Sequence, residues 1–413
     1  MGHRWPGDFG AGRGRGRHRW NDGPHRHRVK RGTGATPVIT EPAHTAPSQA
    51  NTMLKPLHFF VATAAVLVLA APAMALAGPL QRFLDQLVKK EKLPGAVLLV
   101  SGLDGRQIAT AGVANLKTQE PVTEHTRFYI ASSGKLVTAV AALQLVQENK
   151  VKLKEPAYKW VKGIEGIQAL RNIRSVTVEQ LLKHRSGLAE YYTDAFGEDA
   201  NDNRDKRYSI QESLAFAYDE DAEFKPGAEY GYNNSNYVVL GGVIEQADNT
   251  SYAKAVQRRI FDAVGMPSST VGAKPASAGL AHGYDFDRGR PTDVSYTGWN
   301  AITGDGAVVT TAGDYAAFLN ALFRDSKLLP AKTVAQMCKP QVEEPSSGYG
   351  MGCSIVDTPW GEAWGHAGSI TGFNAETWFI KRLGITVVFF TNGDFKSDEP
   401  DLLVRAVKAY LKN

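Results

Sequence analysis

The chain has 413 residues, 43% of them hydrophobic and 22% charged, which excludes a fibrous or wholly disordered protein and leaves enough apolar material for a large core. Its formal charge of +5 is unevenly placed: residues 1–52 carry nine Lys and Arg against three acidic residues, a net of +6, which leaves −1 for residues 53–413. A near-neutral remainder offers no electrostatic footprint for nucleic acid, and no nucleic-acid partner is expected.

Residues 1–52 are rich in Gly, Arg, His and Pro and carry no apolar periodicity, so they are expected to be disordered. They read either as a basic tail or as an upstream extension foreign to the natural protein. The next segment of the chain favours the extension. Met53-Leu54-Lys55 precedes an apolar run over 59–71 and the small-x-small patterns Ala73-Met74-Ala75 and Ala75-Leu76-Ala77. That is the layout of a secretory signal peptide over 53–77, and the run is short for a membrane span. The expectation is a natural start at Met53, a domain over 78–413, a secreted or periplasmic location, and no stable membrane span after cleavage. An oxidising compartment would let Cys338 and Cys353 pair; two buried thiols are the alternative. Two cysteines without a matching His/Asp cluster make no zinc site.

From Pro79, the spacing of Leu80, Phe83, Leu84, Leu87 and Val88 predicts an amphipathic helix that Pro94-Gly95 ends. Residues 96–100 and 107–113 read as strands joined by an Asp104-Gly105 turn. Helical and loop patterns then dominate to about residue 345. Residues 354–356, 375–380 and 384–391 are strand-like, the last an apolar run fit for a central strand, and 401–411 reads as a closing helix. Strands at both ends must share one sheet, from about 79–125 and 346–413, with a helix-rich lobe over about 136–345. The expectation is an α+β fold with a ligand-binding crevice between sheet and lobe.

Ser132-Ser133-Gly134-Lys135 lies where a short apolar run turns into a helical pattern. Leu136, Ala139, Val140, Leu143 and Val146 recur on one helix face. Ser132 and Lys135, three apart, share a face and can touch, while Ser133 points elsewhere. A serine hydroxyl needs a base, and a lysine can be one when burial lowers its pKa. The helix start supplies free N–H groups for an oxyanion. Alone, the pattern describes an N-cap serine with a solvated lysine behind it more readily than a nucleophile and its base.

Around 226–237 the chain is crowded with Tyr and Asn. Tyr232-x-Asn234 reads either as a polar loop before a helix or as a site pair. In the second case the phenol is a general base if cations lower its pKa, and the amide holds a lysine and a substrate carbonyl at once. Trp364-Gly365-His366-Ala367-Gly368-Ser369 places glycines beside a strand pattern, where a missing Cβ at Gly368 would let a substrate lie against a strand edge. The N–H of Ser369 is a candidate second oxyanion donor beside that of Ser132. Residues 181–188 read as a helix end stopped by Gly187, and Thr311-x-x-Asp314 as a capping-box-like helix start. His184 and Asp314 are therefore read as structural. No G-x-S-x-G elbow is present.

Taken together, Ser132-x-x-Lys135, Tyr232-x-Asn234 and His366-x-Gly368 resemble the serine β-lactamase and penicillin-binding-protein superfamily in its class C-like branch. That branch includes D-alanyl-D-alanine carboxypeptidases, D-aminopeptidases and family VIII esterases. The resemblance covers about residues 79–413, and the stretches 181–188, Val264-Gly265-Met266, 306–314 and Tyr349-Gly350-Met351-Gly352 look like the family too. It implies a β-lactamase/transpeptidase-like fold, with an antiparallel sheet flanked by terminal helices, and acyl transfer to Ser132 without metal or cofactor, with Lys135 and Tyr232 sharing the proton, Asn234 orienting Lys135 and the substrate amide, and Ser369 completing the oxyanion site. The implied partner is a small-molecule or peptide substrate, either a D-Ala-D-Ala-type peptide or a small ester. Efficient class C β-lactamases carry lysine where this chain has His366, which tilts the reading away from β-lactams. The alternatives are a true class C β-lactamase and a catalytically silent binding module on the same fold.

Overall fold

Seven consecutive buried residues, Ile385–Thr391, form the strand around which the sheet is assembled. The computed structural model describes residues 78–204, 206–273, 277–287, 289–295, 303–344, 347–395 and 399–412. The expected tail over 1–52 and signal peptide over 53–77 lie outside the described residues.

Helix α1 (Pro79–Glu91) leads into the hairpin of β1 (Gly95–Gly102) and β2 (Gly105–Asn115), with β3 (Glu120–Pro121) beside β2. Between the two ends of the chain lie β4 (Phe128–Tyr129), β5 (Thr270–Val271) and β8 (Val308–Thr310), paired in the order β4-β8-β5, and the two-stranded pair of β6 (Tyr284–Asp287) and β7 (Arg290–Asp293). The C-terminal half supplies β9 (Val342–Glu344), β10 (Ser347–Tyr349), β11 (Ser354–Thr358), β12 (Gly361–Ile370), β13 (Phe373–Ile380) and β14 (Ile385–Thr391), which join β1–β3. These form one nine-stranded sheet in the order β3-β2-β1-β14-β13-β12-β11-β10-β9. The two chain halves meet where β1 pairs antiparallel with β14, from Ala96 opposite Thr391 to Ser101 opposite Thr386.

Both sheet faces are covered, which is why β14 reads as an unbroken apolar run rather than an alternating one. Val97, Leu99, Val388 and Phe390 join the core shared with the helical lobe. Leu98, Val100, Val387 and Phe389 are buried on the opposite face. That face carries α1 and the closing helix α5 (Glu399–Tyr410), which pack together. The Arg405 guanidinium sits 4.9 Å from the Phe83 ring, and the Tyr410 hydroxyl donates to Gly105 O at 2.9 Å. The α+β architecture expected from the sequence holds.

Within the lobe, α2 (Gly134–Gln147) and α3 (Asn234–Asp248) pack side by side. The expectation of a single buried face on α2 is too narrow. Val137, Ala141, Ala142 and Leu145 are buried along with Leu136, Ala139, Val140 and Leu143. A helix enclosed by sheet and lobe together is apolar all round. The expected stop at Gly187 also moves: the short helix ends at Leu182, and His184 already turns left-handed with φ 53°. Thr311 caps its helix by accepting from Asp314 N at 3.1 Å. The Asp314 carboxylate does not reach back; it accepts from Ser268 N and Ser269 Oγ.

Cys338, at the end of α4 (Ala331–Met337), is disulfide-bonded to Cys353 with Cα atoms 5.2 Å apart. Of the two states open from the sequence, pairing is the one found. The bridge closes a loop that contains Tyr349, and beside it Met351 N–H donates to Met337 O at 2.7 Å, tying the loop back to the end of α4. A bridge over a sequence separation of 15 is expected to contribute about 3 kcal/mol through lost chain entropy. The double variant Cys338→Ala, Cys353→Ala should lose about that much in a urea titration; an unchanged midpoint and slope would show that the loop's own hydrogen bonds suffice.

Candidate active site

Strand β4 (Phe128–Tyr129) delivers the chain into a 3₁₀ turn, Ala131–Ser133, that runs straight into α2. Ala131 enters this turn at φ 45°, a left-handed conformation that costs a non-glycine residue roughly 1–2 kcal/mol. The glycine at 306 makes room for it: a methyl group there would lie 3.1 Å from the Ala131 carbonyl carbon. The two serines then separate as their spacing predicts. Ser133 is buried, its hydroxyl donating to His366 O at 2.9 Å while its carbonyl accepts from the Tyr315 hydroxyl. Ser132 is half-buried and faces Lys135.

Lys135 is fully buried and surrounded by oxygen. Its Nζ lies 3.0 Å from Ser132 Oγ, 2.7 Å from Asn234 Oδ1 and 2.8 Å from Asp305 O. Burial lowers its pKa to about 8, against the opposing pull of the Asp305 and Glu190 carboxylates. A neutral amine has two hydrogens and one lone pair. The carbonyl oxygens of Asn234 and Asp305 can only accept, so they take both hydrogens, and the lone pair is left facing the Ser132 hydroxyl. This is the geometry of a base on its proton donor.

Tyr232 is hydrogen-bonded to Ser132, and its ring centre lies 5.0 Å from Lys135 Nζ. The expected cation-lowered phenol is not found. Burial pushes the Tyr232 pKa up, and Asp305 and Glu190 push the same way, so it stands as a phenol able to donate. Asn234 opens α3, whose N-cap, Asn233, makes no side-chain cap; the cap comes instead from Glu190, whose Oε2 accepts from Asn234 N at 2.7 Å and from Nδ2 at 3.1 Å.

His366, on β12, is buried, and hydrogen bonding commits both its ring nitrogens. Nδ1 meets the Ala367 carbonyl, which can only accept, so Nδ1 carries the hydrogen and Nε2 accepts from the Tyr349 hydroxyl at 3.2 Å. Tyr349 in turn meets His184 Nε2 at 3.2 Å, and His184 Nδ1 accepts from Asn233 N–H at 3.1 Å. A continuous chain of hydrogen bonds thus joins the Tyr232–Asn234 segment to β12 through two neutral imidazoles. Burial, reinforced by Lys135, lowers both histidines, His366 to about 3. His366 therefore presents no positive charge to a ligand.

Gly368 also differs from its expected use. A methyl group there would lie 2.1 Å from Ile130 O and 2.9 Å from Ser133 N. The missing Cβ makes room for the chain's own serine turn rather than for a substrate. Ser369 follows at an exposed position of β12, in register with Asn374 of β13.

All three motifs thus meet at one place, through Lys135 and Tyr232 on Ser132 and through Gly368 on the serine turn. Asp314 lies elsewhere, bonded to Ser268 and Ser269. His184, read as structural from the sequence, lies with its ring centre 4.3 Å from that of Tyr232; Glu190, Asp305 and the bridging Tyr349 are site residues that the three motifs do not contain. The 181–188 stretch and the Tyr349-Gly350-Met351-Gly352 stretch were signals for two of these, as segments that share the family resemblance without belonging to its motifs.

The Beta-lactamase family model matches residues 80–411. The chain is 24% identical over 351 residues to "Penicillin-binding protein 4*" of Bacillus subtilis (strain 168), covering 80% of this chain and 75% of that one. It is 26% identical to "Esterase EstB" of Burkholderia gladioli, covering 78% and 91%. Among solved structures, D-amino acid amidase from Ochrobactrum anthropi SV3, complexed with L-phenylalanine amide, superposes with a TM-score of 0.70 at 25% identity over 81% of this chain and 98% of that one. With a family match running from α1 through α5 and hydrolases among its relatives, the chain belongs to the beta-lactamase family and is a serine hydrolase.

Proposed function

We propose that the protein is an exported hydrolase that cleaves small esters or amides through an acyl-enzyme on Ser132. The observation that carries this reading is the Lys135 amine, buried and held by two carbonyl oxygens so that its lone pair meets Ser132 Oγ. A helix-capping serine with a solvated lysine has no use for such a setting, and neither does a silent binding module. The export part rests on the signal-like segment over 53–77.

In the proposed reaction, neutral Lys135 takes the Ser132 proton as Oγ bonds to the substrate carbonyl carbon. The oxyanion collects the N–H groups of Ser132 and Ser369. Collapse breaks the bond to the leaving group, which takes a proton from the Tyr232 phenol, and the Lys135 ammonium beside that ring returns one. Water then attacks the acyl carbon, gives up a proton to the same pair, and releases the acid with Ser132 restored.

The substrate class follows from the third motif. His366 is neutral and both its nitrogens are engaged, so no cation stands there to hold a substrate carboxylate. Esters and amides lacking a carboxylate at that end fit better than a D-Ala-D-Ala peptide or a β-lactam. The names of the esterase and the amidase among the relatives agree with this class.

The Ser132→Ala variant should lose all measurable turnover of a p-nitrophenyl ester and gain no acyl mass, while melting like the parent; substantial residual turnover would overturn the assignment. The pH profile of kcat/KM should have an acid limb near the Lys135 value of about 8, activity rising with pH as the amine loses its proton. A limb near the ordinary histidine value of about 6.5 would point to a different base. Neutral esters should exceed a D-Ala-D-Ala peptide by at least about tenfold in kcat/KM, and a preference for the peptide would sink the substrate class.

A further inference from the structure

Glu190 belongs to none of the three motifs, yet it is hydrogen-bonded directly to one of their residues. It lies on the segment between Leu188 and Thr193 and is half-buried. Its Oε2 accepts from Asn234 N at 2.7 Å and Asn234 Nδ2 at 3.1 Å, and its Oε1 accepts from Tyr192 N at 2.9 Å. Burial, with the Asp305 charge, pushes the Glu190 pKa up; three donors converging on two oxygens that only accept, with Lys135 beside them, act the other way and favour the ionised carboxylate.

The bond to Nδ2 decides which way the Asn234 amide points. With its NH₂ end held by Glu190, Asn234 must present Oδ1 to Lys135, at 2.7 Å. Were the amide reversed, an NH₂ group would face the lysine, and the only complementary partner it could find there is the amine lone pair. That lone pair would then be drawn away from Ser132.

We propose that Glu190 is a positioning residue for acyl transfer, fixing Asn234 in the one amide orientation that leaves the Lys135 lone pair to Ser132. The inference rests on the reading of Ser132 and Lys135 as nucleophile and base. Glu190 acts in two ways: it sets the amide orientation through a hydrogen bond, and its charge favours the Lys135 ammonium. The other groups facing Lys135 are the Asp305 carboxylate, the Tyr232 and Tyr237 rings, and the imidazoles of His184 and His366. Those facing Glu190 are Asn234, Asp305, Lys135 and the Tyr191, Tyr192 and Tyr232 phenols. The phenols and imidazoles carry no charge here, so Glu190 and Asp305 are the negative charges acting on the lysine.

The test uses the full chain, a p-nitrophenyl ester, and the acylation rate constant from the burst phase at pH values from about 5 to 10. Removing the acceptor in Glu190→Ala should slow acylation about 100-fold at pH 8 with KM changed less than about threefold, the scale of a misplaced catalytic group. Glu190→Gln keeps a carbonyl acceptor and loses the charge. It should recover acylation to within about tenfold of the parent and move the acid limb to lower pH, because the ammonium has lost a stabilising carboxylate. A folded Glu190→Ala that acylates at the parental rate would overturn the proposal. So would a Glu190→Gln that is as slow as the alanine variant with its limb unmoved, the mark of a helix cap alone. If the alanine variant does not fold, the position of the limb in Glu190→Gln decides. Failure of the underlying reading looks different: the parent itself would gain no acyl mass on Ser132.

Discussion

Everything at this site depends on keeping an amine dry. An ammonium withdrawn from water loses its hydration, and Lys135 is fully buried at the start of α2. Two outcomes are open to such a group: it sheds its proton, or it gathers enough negative charge to keep it. Lys135 is held between the two. Burial drives its pKa down, Asp305 and Glu190 draw it back, and the balance falls at about 8, within reach of neutral pH. A lysine without those carboxylates would be a weaker base, and one in water would stay charged.

The fold exists around that balance. The site needs a strand, a turn and two helix starts brought within a few ångströms, and each close approach has a local cause. Gly368 lets β12 touch the serine turn, which a methyl group would block at 2.1 Å from Ile130 O. Ala131 accepts a left-handed backbone at the same turn, strain that the surrounding packing must offset. Tyr349 spans the gap between His184 and His366, and the disulfide closes the loop that presents it. The antiparallel pairing of β1 with β14 closes the sheet across nearly the whole domain, so the late strand that carries His366 is as firmly placed as the early turn that carries Ser132.

What the sequence revealed and what it hid divide along sequence distance. Ser132 and Lys135 are three residues apart, so helix geometry alone predicts their contact, and the same holds for the apolar spacing of α1 and the run that became β14. Asn234 and Asp305 meet Lys135 from 99 and 170 residues away, and no local pattern encodes that. Family resemblance reached Asn234 because its motif is short and recurrent. It did not reach Glu190, whose carboxylate has no spacing rule to betray it. The expectation for Tyr232 failed for a related reason. A phenol's pKa depends on which charges surround it, and the two acids nearest in space are remote in sequence. Gly187 misled as a helix stop because His184 had already taken the left-handed turn, which a non-glycine residue rarely does.

The histidine of the third motif ties base strength to substrate choice. A lysine or arginine at position 366 would hold a substrate carboxylate, but it would also bring a second cation into the pocket that already contains Lys135. Like charges disfavour each other's protonated forms, so the Lys135 pKa would fall below its present balance and the amine would become a poorer proton acceptor. The same change would remove the acceptor nitrogen that Tyr349 donates to and break the link to His184. A neutral imidazole avoids both costs. On the proposed reading, then, indifference to carboxylates and a lysine tuned to about 8 are one property of one electrostatic field, and neither can be altered at residue 366 without disturbing the other.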